Sequence, residues 1–399
     1  MSFAAGLLLA DIVTQTWTNT YNSDLNLSDI LADIAVDNSG NVYVTGTSFV
    51  GSTSDITTIK YNSAGQQQWV RNYDGGSLLN DSANAIAIDA SGYIYVAGQS
   101  ASTTPDLSLC RLIKYNSAGT LQWAITFQGA NNTGTNIFSD VETDGSGNIY
   151  TIDGCTEKTT GLDYVTVKYN SGGTKVWAAT RNSTGTANDT AIAMKLDSSF
   201  NVYITGDKGT VKYNNAGVQQ WVDSNFPGFG IAADSSSNIY VLSVSNPTIC
   251  VLKYNSAGAR QWSSLYPQPM GTNAYPTGIA VDASGNSYFT GMLSGSGGVN
   301  ILTVKSDTDG FFLWDAMYDV SAYQYSFPGS IACDQWGNSY TTAIVNRNLM
   351  TLKYDSDGYE KWNMIYSANL GGDMPTPIVV KSGEVYVGGD TYSQSTNVN

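Results

Sequence analysis

Short apolar stretches, in which β-branched and aromatic residues alternate with polar ones, recur along the whole chain. Each is bounded by a turn sequence such as Asp-x-Ser-Gly-Asn at residues 37–41 or Asn-Ser-Ala-Gly at residues 62–65. Glycine supplies the positive φ that a tight hairpin needs, and Asp or Asn caps the turn. No amphipathic stretch of helical period is long enough to compete. The pattern therefore predicts strands paired as hairpins and almost no helix.

Tryptophan marks a long internal repeat. Eight of the nine tryptophans recur at a mean spacing of about 49 residues, and Trp336 lies off the period. Two hairpins fit between successive tryptophans, which gives four strands per repeat, as in a propeller blade. A large ring at the start of each fourth strand is expected to pack between neighbouring blades, a structural role. The eight recurrent residues are Trp17, Trp69, Trp123, Trp177, Trp221, Trp262, Trp314 and Trp362.

The repeats predict an all-β, eight-bladed β-propeller of four-stranded antiparallel blades, a single domain over residues 1–399. The last first-hairpin segment, residues 378–388, has no second hairpin after it, whereas residues 6–10 and 15–17 match a second hairpin at the start of the chain. Residues 1–20 and 376–399 are therefore expected to form the closing blade jointly, which leaves no exposed sheet edges between the chain ends. Seven blades with loose ends is the alternative. The first hairpins begin near Asp33, Ala85, Asp140, Ala193, Ile231, Ile279, Ile331 and Ile378.

A lysine nine residues before the tryptophan and an aspartate at the first turn each recur in seven repeats. In the closing repeat both are replaced at once, by Leu8 and Lys381. Joint loss predicts that the two charges pair within a blade, because an unpaired lysine between packed blades is costly. A ring of lysines that binds an anion is the alternative. The structural pairs named here are Lys60 with Asp37 and Lys114 with Asp89.

Composition excludes several chemistries. The chain has no histidine, so neither a Ser-His-Asp system nor a His-ligated metal exists in it. A net charge of −15 argues against a nucleic-acid partner. The four cysteines are far apart, so neither a disulfide framework nor a metal knuckle is expected. Each aspartate turn offers one carboxylate, whereas calcium takes about six to eight oxygen ligands. We therefore predict no metal and no catalytic residue.

The longest apolar run, residues 3–10, is too short for a membrane span, which needs about 20 residues. It also lacks the basic start of a secretory signal. We expect no membrane insertion and no recognisable Sec signal, and we assign the run to a strand.

Residues 87–98, followed by residues 113–123, resemble the bacterial β-propeller repeat family. This resemblance implies an extracellular or cell-surface protein, and similar repeats occur in predicted structural proteins of marine phages. A more distant likeness is to the tryptophan-docked, eight-bladed propellers of pyrroloquinoline-quinone enzymes, whose repeats also end in Gly-x-x-x-Trp, as Gly65 to Trp69 does here. Those enzymes bind their quinone beside a vicinal disulfide and a calcium ion. This chain has no adjacent cysteines, so no cofactor is expected.

The loops from fourth to first strand and from second to third strand vary between repeats and contain aromatic residues among polar ones. Varied loops on a rigid scaffold commonly carry function, and aromatic side chains suit sugar or protein contacts. Plugging of the blade junctions is the alternative role. The short spacing from Trp221 to Asp234 also predicts a notch near the fourth and fifth blades, or a deletion without function. The candidate binding residues are Tyr73, Phe226, Phe229, Tyr275, Tyr323, Tyr325 and Phe327.

Together these features favour a non-catalytic structural or adhesive propeller exposed on a virion, as a tail, fibre or decoration component. Its expected partners are other virion or surface proteins and host glycan, at a virion surface or another extracellular location. A bacterial cell-surface or secreted adhesion propeller is the first alternative. A glycan hydrolase or lyase using paired carboxylates is the second, although no carboxylate pair stands out in the sequence.

Overall fold

The computed structural model describes residues 13–23, 29–50, 52–76, 79–104, 107–128, 136–157, 161–183, 188–245, 248–295, 298–320, 326–366 and 377–389. Within these ranges the regular secondary structure is entirely β-strand, as the alternating pattern predicts. The described residues include no helix of the length and apolarity that a membrane crossing requires.

The strands form seven four-stranded antiparallel sheets, each from four consecutive strands in sequence order. The first strands are β1 (Asp29–Val36), β5 (Asp81–Ile88), β9 (Asn136–Thr143), β13 (Ala191–Leu196), β17 (Gly228–Ala233), β21 (Thr272–Val281) and β25 (Ser326–Cys333). The second strands are β2 (Val42–Val50), β6 (Ile94–Ala101), β10 (Ile149–Glu157), β14 (Val202–Gly206), β18 (Ile239–Ser245), β22 (Ser287–Gly295) and β26 (Ser339–Val345).

The outer half of each sheet is a second hairpin. The third strands are β3 (Thr53–Tyr61), β7 (Ser108–Tyr115), β11 (Gly161–Tyr169), β15 (Gly209–Tyr213), β19 (Thr248–Tyr254), β23 (Gly298–Ser306) and β27 (Asn348–Tyr354). The fourth strands are β4 (Gln67–Tyr73), β8 (Leu121–Phe127), β12 (Lys175–Arg181), β16 (Gln219–Asp223), β20 (Arg260–Leu265), β24 (Phe312–Asp319) and β28 (Glu360–Tyr366). An eighth, two-stranded sheet pairs β29 (Ile378–Lys381) with β30 (Glu384–Val387).

The sheets are arranged as the blades of a β-propeller. First strands of successive sheets contact one another from β1 through β25, so they form the inner ring and the fourth strands form the rim. The eighth sheet completes the circle, because β29 contacts both β25 and β1. We call the seven four-stranded sheets blades 1 to 7 in chain order.

The predicted number of four-stranded blades, eight, is wrong for the described residues, which give seven, the alternative count. Of the N-terminal segments assigned to the closing blade, residues 6–10 lie outside the described residues, and residues 15–17 form no strand. Trp17 nevertheless binds blade 1 as other tryptophans bind their neighbours, with its indole N–H donating to the carbonyl oxygen of Ser63 at 3.2 Å. The tryptophan period therefore reports ring packing, which does not require strand pairing.

Bulges displace the start of the first strands from the positions that the sequence indicates. Strand β1 begins at Asp29, ahead of the expected start near Asp33, and its register shifts between Leu31 and Asp33. The same shift occurs in β5 between Ala83 and Ala85. A bulge adds a residue and interrupts the two-residue alternation, so the pattern is recognisable only after it.

The core lies between blades. In one junction, Tyr43 and Ile56 of blade 1 pack with Ile86, Ile94 and Ile113 of blade 2. All five side chains are less than a tenth exposed. Each sheet thus buries both faces only by contact with its neighbours, which is why the blades are stable as a ring.

Candidate functional site

A tyrosine connects the recurrent aspartate and lysine. In blade 2, Asp89 accepts hydrogen bonds from the backbone N–H groups of Ser91 and Tyr93 at 2.9 and 3.0 Å, and from the hydroxyl of Tyr95 at 2.9 Å. The Nζ of Lys114 lies 5.1 Å from the Tyr95 ring centroid and donates to the carbonyl oxygen of Ser171 in blade 3 at 2.8 Å. The lysine therefore joins neighbouring blades, and the tyrosine lies between the two charges.

The expected direct ion pairs are not what the structure shows. Lys60 repeats the arrangement of Lys114, because its Nζ donates to the carbonyl oxygen of Ser117 at 3.1 Å and lies 5.1 Å from the centroid of Tyr43. The Tyr43 hydroxyl in turn donates to Asp37 at 3.2 Å. The two charges still interact at longer range: burial lowers the pKa of Lys114, and the negative charge of Asp89 offsets part of that effect.

The turn aspartates are fully used by the protein. Burial alone would raise the pKa of Asp144, but hydrogen bonds from the side chain and backbone of Asn148 and from Ser146 hold it below its usual value. The Tyr150 hydroxyl adds a further hydrogen bond at 3.1 Å. These contacts account for the turn sequence without a bound cation.

Three predicted binding residues lie on neighbouring inner strands of blades 5, 6 and 7. These are Phe229 on β17, Tyr275 on β21 and Phe327 on β25, and they are 37%, 51% and 37% exposed. Tyr275 pairs with Met292 and Phe327 with Ile344, so these two occupy the same register position in adjacent blades.

Phe229 is the extra residue of the β17 bulge, between Gly228 and Gly230. A bulge redirects the side chain that it carries. Phe229, Tyr275 and Phe327 lie near the beginnings of inner strands, where the variable loops enter. We call them the channel-mouth aromatics, after the central channel that the inner strands of a propeller surround. The arrangement offers exposed rings on a rigid support, which suits contact with a sugar or a protein surface.

The other predicted binding residues are placed differently. Tyr73 is half-buried at the blade 1–2 junction, with the Arg111 guanidinium 5.5 Å from its ring centroid. Phe226 is half-buried under Arg260, at 5.1 Å. Both fit the alternative role as plugs of blade junctions. Tyr323 and Tyr325 lie outside the described residues.

Blade 4 is short on the side of the variable loops. Strands β14 and β15 have five residues each, whereas β2 and β3 of blade 1 have nine each. Gly206 pairs with Gly209, so only Asp207 and Lys208 connect β14 to β15. The truncation lies where the sequence predicts a notch.

Two carboxyl groups of the inner ring, Asp33 and Asp140, were not predicted as candidate functional groups. Asp33 accepts hydrogen bonds from the backbone N–H of Ile34 at 2.8 Å and of Ile86, in the next blade, at 3.0 Å. Asp140 accepts them from Val141 at 2.8 Å and from Met194, again in the next blade, at 3.0 Å.

Burial raises the pKa of Asp33 to about 7, although these two hydrogen bonds oppose it and the charge of Asp140 adds to it. Burial, with the neighbouring Glu142, raises the pKa of Asp140 to about 6. A signal was available in the sequence: both residues follow the bulge at the same repeat position, where the neighbouring repeats have Ala85 and Ala193. Their oxygens bridge neighbouring inner strands, which is a structural role.

An acidic cluster at the blade 1–2 junction also went unpredicted, because its members are far apart in the repeat. Carboxylate oxygens of Asp55, Asp74 and Asp81 lie within 4.8 Å of one another. Burial, with the charges of Asp74 and Asp81, raises the pKa of Asp55. Burial also raises the pKa of Asp81, against the effects of the Gly75 N–H, Ser100 and Arg111.

Radial four-stranded sheets with tryptophan-docked junctions define the chain as a β-propeller repeat protein. The family model described as a beta-propeller repeat matches residues 27–49, about one half of a repeat, and confirms the resemblance to that family. No curated protein matches the chain at a significant level.

Solved structures show the same fold at low sequence identity. Sqt1 from Chaetomium thermophilum is 10% identical, with a TM-score of 0.55 and coverage of 83% of each chain. An ancestral GH74 enzyme is 13% identical, with a TM-score of 0.52 over 92% of this chain and 50% of the enzyme. A protein from Lactobacillus plantarum is 12% identical, with a TM-score of 0.51 over 80% of this chain and 94% of that one. At such identities the likeness establishes the fold alone.

Proposed function

We propose that this chain is a non-catalytic binding propeller, displayed on a virion or on another extracellular surface, that contacts protein or glycan through the channel-mouth aromatics. The observation that carries the proposal is the placement of Phe229, Tyr275 and Phe327 on three consecutive inner strands with 37%, 51% and 37% of their surface exposed. Solvent-exposed rings on rigid strands lose little conformational freedom on binding.

The proposed virion location rests on the resemblance to repeats that occur in predicted structural proteins of phages. The chain has 33 acidic and 18 basic residues, a balance that suits an exposed scaffold and disfavours nucleic acid as a partner. A bacterial cell-surface or secreted adhesin would use the same site. The two locations are distinguished by mass spectrometry of purified virions against washed host cells.

A glycan hydrolase or lyase is the competing activity, and the inner-ring carboxyls are the groups it would need. Asp33 and Asp140 have raised pKa values, as a general acid requires. Each, however, uses both of its oxygens to accept backbone N–H groups, one from the following residue and one from the next blade. A carboxyl committed to the scaffold in this way is poorly placed to exchange protons with a substrate, so we favour binding over catalysis.

The test is a glycan and surface-protein binding screen with the full chain and a triple variant, Phe229→Ser, Tyr275→Ser and Phe327→Ser. We expect the variant to bind at least about tenfold more weakly, because few residues carry most of an interface's affinity. The matched control replaces exposed apolar residues of the rim, Leu121→Ser and Val218→Ser, which are 48% and 56% exposed.

Equal binding by the triple variant and the wild type would remove the channel mouth as the site. Sustained glycan cleavage that is abolished by Asp33→Asn or Asp140→Asn would replace the proposal with the enzyme.

We also propose that residues 1–20 and 376–399 complete the closing blade around β29 and β30. A groove of about 650 Å³ lies between blades 7 and 1, lined by Ile59, Leu349, Val385 and Val387 among others. Within the described residues β30 pairs only with β29, and Trp17 already covers Gly65 of blade 1. The apolar run at residues 3–10 suits both the groove and the unpaired edge.

Leu8→Asp should lower the free energy of unfolding by about 2 kcal/mol or more if residues 3–10 are buried in this groove. Ser2→Asp, outside the run, is the control. Equal stability of the two variants in urea titrations would contradict the closing blade.

A further inference from the structure

The rim of blade 6 differs from the rims of the other blades. Residues 311–313 are Phe-Phe-Leu, where blade 1 has Gln-Gln-Gln at residues 66–68 and blade 4 has Val-Gln-Gln at residues 218–220. Phe311, Phe312 and Leu313 are 69%, 41% and 50% exposed, and Met317 on the same strand is 46% exposed. Phe312 lies 6.3 Å, centroid to centroid, from the buried ring of Tyr266, but a run of three exposed apolar residues at this position has no counterpart in the other repeats.

Phe312, Leu313 and Met317 belong to the edge strand β24, and Phe311 immediately precedes it. Strand β24 is the last strand of its sheet, and in the described part of the chain it pairs only with β23. With eight residues it is also the longest of the fourth strands. An apolar edge strand of this kind is a template on which another polypeptide segment adds as a further strand.

A turn of blade 7 extends the apolar surface. The Trp314 indole N–H of β24 donates to the carbonyl oxygen of Ser356 at 3.0 Å, which places the blade 7 turn that ends at Tyr359 against the blade 6 rim. Tyr359 is 71% exposed. We call Phe311, Phe312, Leu313 and Tyr359 the blade 6–7 patch.

Carboxylates lie in the turns beside this patch, and one of them, Asp355, is 3.8 Å from the Nζ of Lys361. The turns before β24 and β28 contain Asp307, Asp309, Asp355 and Asp357, whereas the equivalent turns of blades 1–5 begin with Asn and contain no acidic residue. Asp307 accepts the N–H of Asp309 at 3.0 Å and of Phe311 at 2.8 Å, so it caps the turn as Asn does elsewhere. Asp309 and Asp357 stand where blade 2 has Ala118, and both are exposed. The second aspartate of each turn thus adds charge beyond what the turn conformation needs.

We propose that the blade 6–7 patch is a docking surface for a cationic, apolar segment of a partner protein, which adds along β24 with its basic side chains toward the aspartates. The acidic surroundings of the patch favour a cationic partner over the other possible occupants of this surface. A second copy of this chain would bring another −15 of net charge, and an anionic membrane would meet the same repulsion. The site lies at the end of the blades where the short turns project, away from the channel-mouth aromatics.

Fluorescence anisotropy with labelled strand peptides tests this assignment. The probes alternate valine with lysine, valine with glutamate, and serine with lysine. We expect the full chain to bind the valine–lysine peptide most tightly and to lose affinity as salt is raised. Phe311→Gln with Leu313→Gln, and separately Asp309→Ala with Asp357→Ala, should each weaken binding by about tenfold. Leu121→Gln, a rim residue of blade 2 that is 48% exposed, is the control and should not weaken it.

Three results would overturn the proposal. These are no preference for lysine over glutamate in the peptides, unchanged binding by both double variants, and self-association of the chain that the Phe311 and Leu313 replacements abolish in sedimentation velocity. The last would assign the patch to a second copy. The triple variant of the channel mouth serves as a further control, since its peptide binding should equal that of the wild type.

Discussion

Replacing one turn glycine tests whether blades are held together by tryptophan docking. Gly119 has φ of +77°, and a Cβ built there would lie 2.7 Å from Cδ2 of Trp69, which belongs to the preceding blade. Gly92 has almost the same φ, +79°, but a Cβ there meets its nearest neighbour, on Ser117, only at 4.0 Å. Gly92→Ala therefore changes the backbone cost alone, whereas Gly119→Ala changes that cost and the docking contact.

The expected loss of unfolding free energy differs between the two variants. A non-glycine residue in the left-handed region costs about 1 kcal/mol, so Gly92→Ala should lower the free energy of unfolding by about that amount. Overpacking of a close contact adds about 1–3 kcal/mol, so Gly119→Ala should lower it by about 2–4 kcal/mol. Both are measured by urea unfolding at neutral pH, followed by circular dichroism so that a change in Trp69 fluorescence does not bias the comparison.

The difference between the two variants is the decisive quantity. Equal destabilisation by Gly92→Ala and Gly119→Ala would show that the junction accommodates the added methyl group without cost, and would contradict tight docking of Trp69 on Gly119. Trp69→Ala in the background of each variant supplies the check: with the indole removed, the two glycine replacements should cost the same.

Further predictions concern the charged groups. Tyr95→Phe removes the hydroxyl that donates to Asp89 and should lower the free energy of unfolding by about 1.5–3 kcal/mol, whereas Tyr93→Phe should change it little. Equal urea midpoints for the two variants would contradict a stabilising role for the Tyr95–Asp89 hydrogen bond. Asp33 has a folded pKa of about 7 against an ordinary value of 3.8, so its contribution to stability is complete below about pH 4 and is lost as pH rises to about 7. Asp33→Asn should flatten the fall of unfolding free energy over that range, and an unchanged slope would contradict the assignment. The pKa of Asp144 is instead lowered, so its contribution should be lost below about pH 4, and the acid unfolding of Asp144→Asn should show a smaller loss than the wild type.

The architecture could be predicted from the sequence because the same turn and tryptophan pattern recurs in nearly every repeat. The turn glycines and the tryptophan period predict two hairpins and a blade wherever they occur, and the strands lie there. The period overcounted complete blades because Trp17 keeps the packing contact to Ser63 without belonging to a strand. The recurrence of tryptophan therefore indicates a packing contact between neighbouring repeats, and it does not require a strand.

The candidate site was less predictable, since it depends on which strands meet in space. Phe229, Tyr275 and Phe327 appear as unrelated loop aromatics in the sequence, and only the ring of first strands brings them to consecutive positions. Tyr73 has the same composition-based signal, yet an arginine from the next blade covers it. The direct pairing of Lys114 with Asp89 that their joint loss predicts is not formed, because the Tyr95 side chain, on the second strand, lies between the two charges.

The contacts between blades have one further property, which bears on how such a chain can evolve. At several junctions the lysine and tryptophan donors of one blade donate to a main-chain carbonyl of the next, and the acceptor residue is Ser117, Ser256 or Thr308. Every residue type has that carbonyl, so the junction does not restrict the acceptor side chain. A duplicated or exchanged repeat that keeps the turn glycine could therefore form these hydrogen bonds with a new neighbour, and the acceptor side chain is left free to diverge.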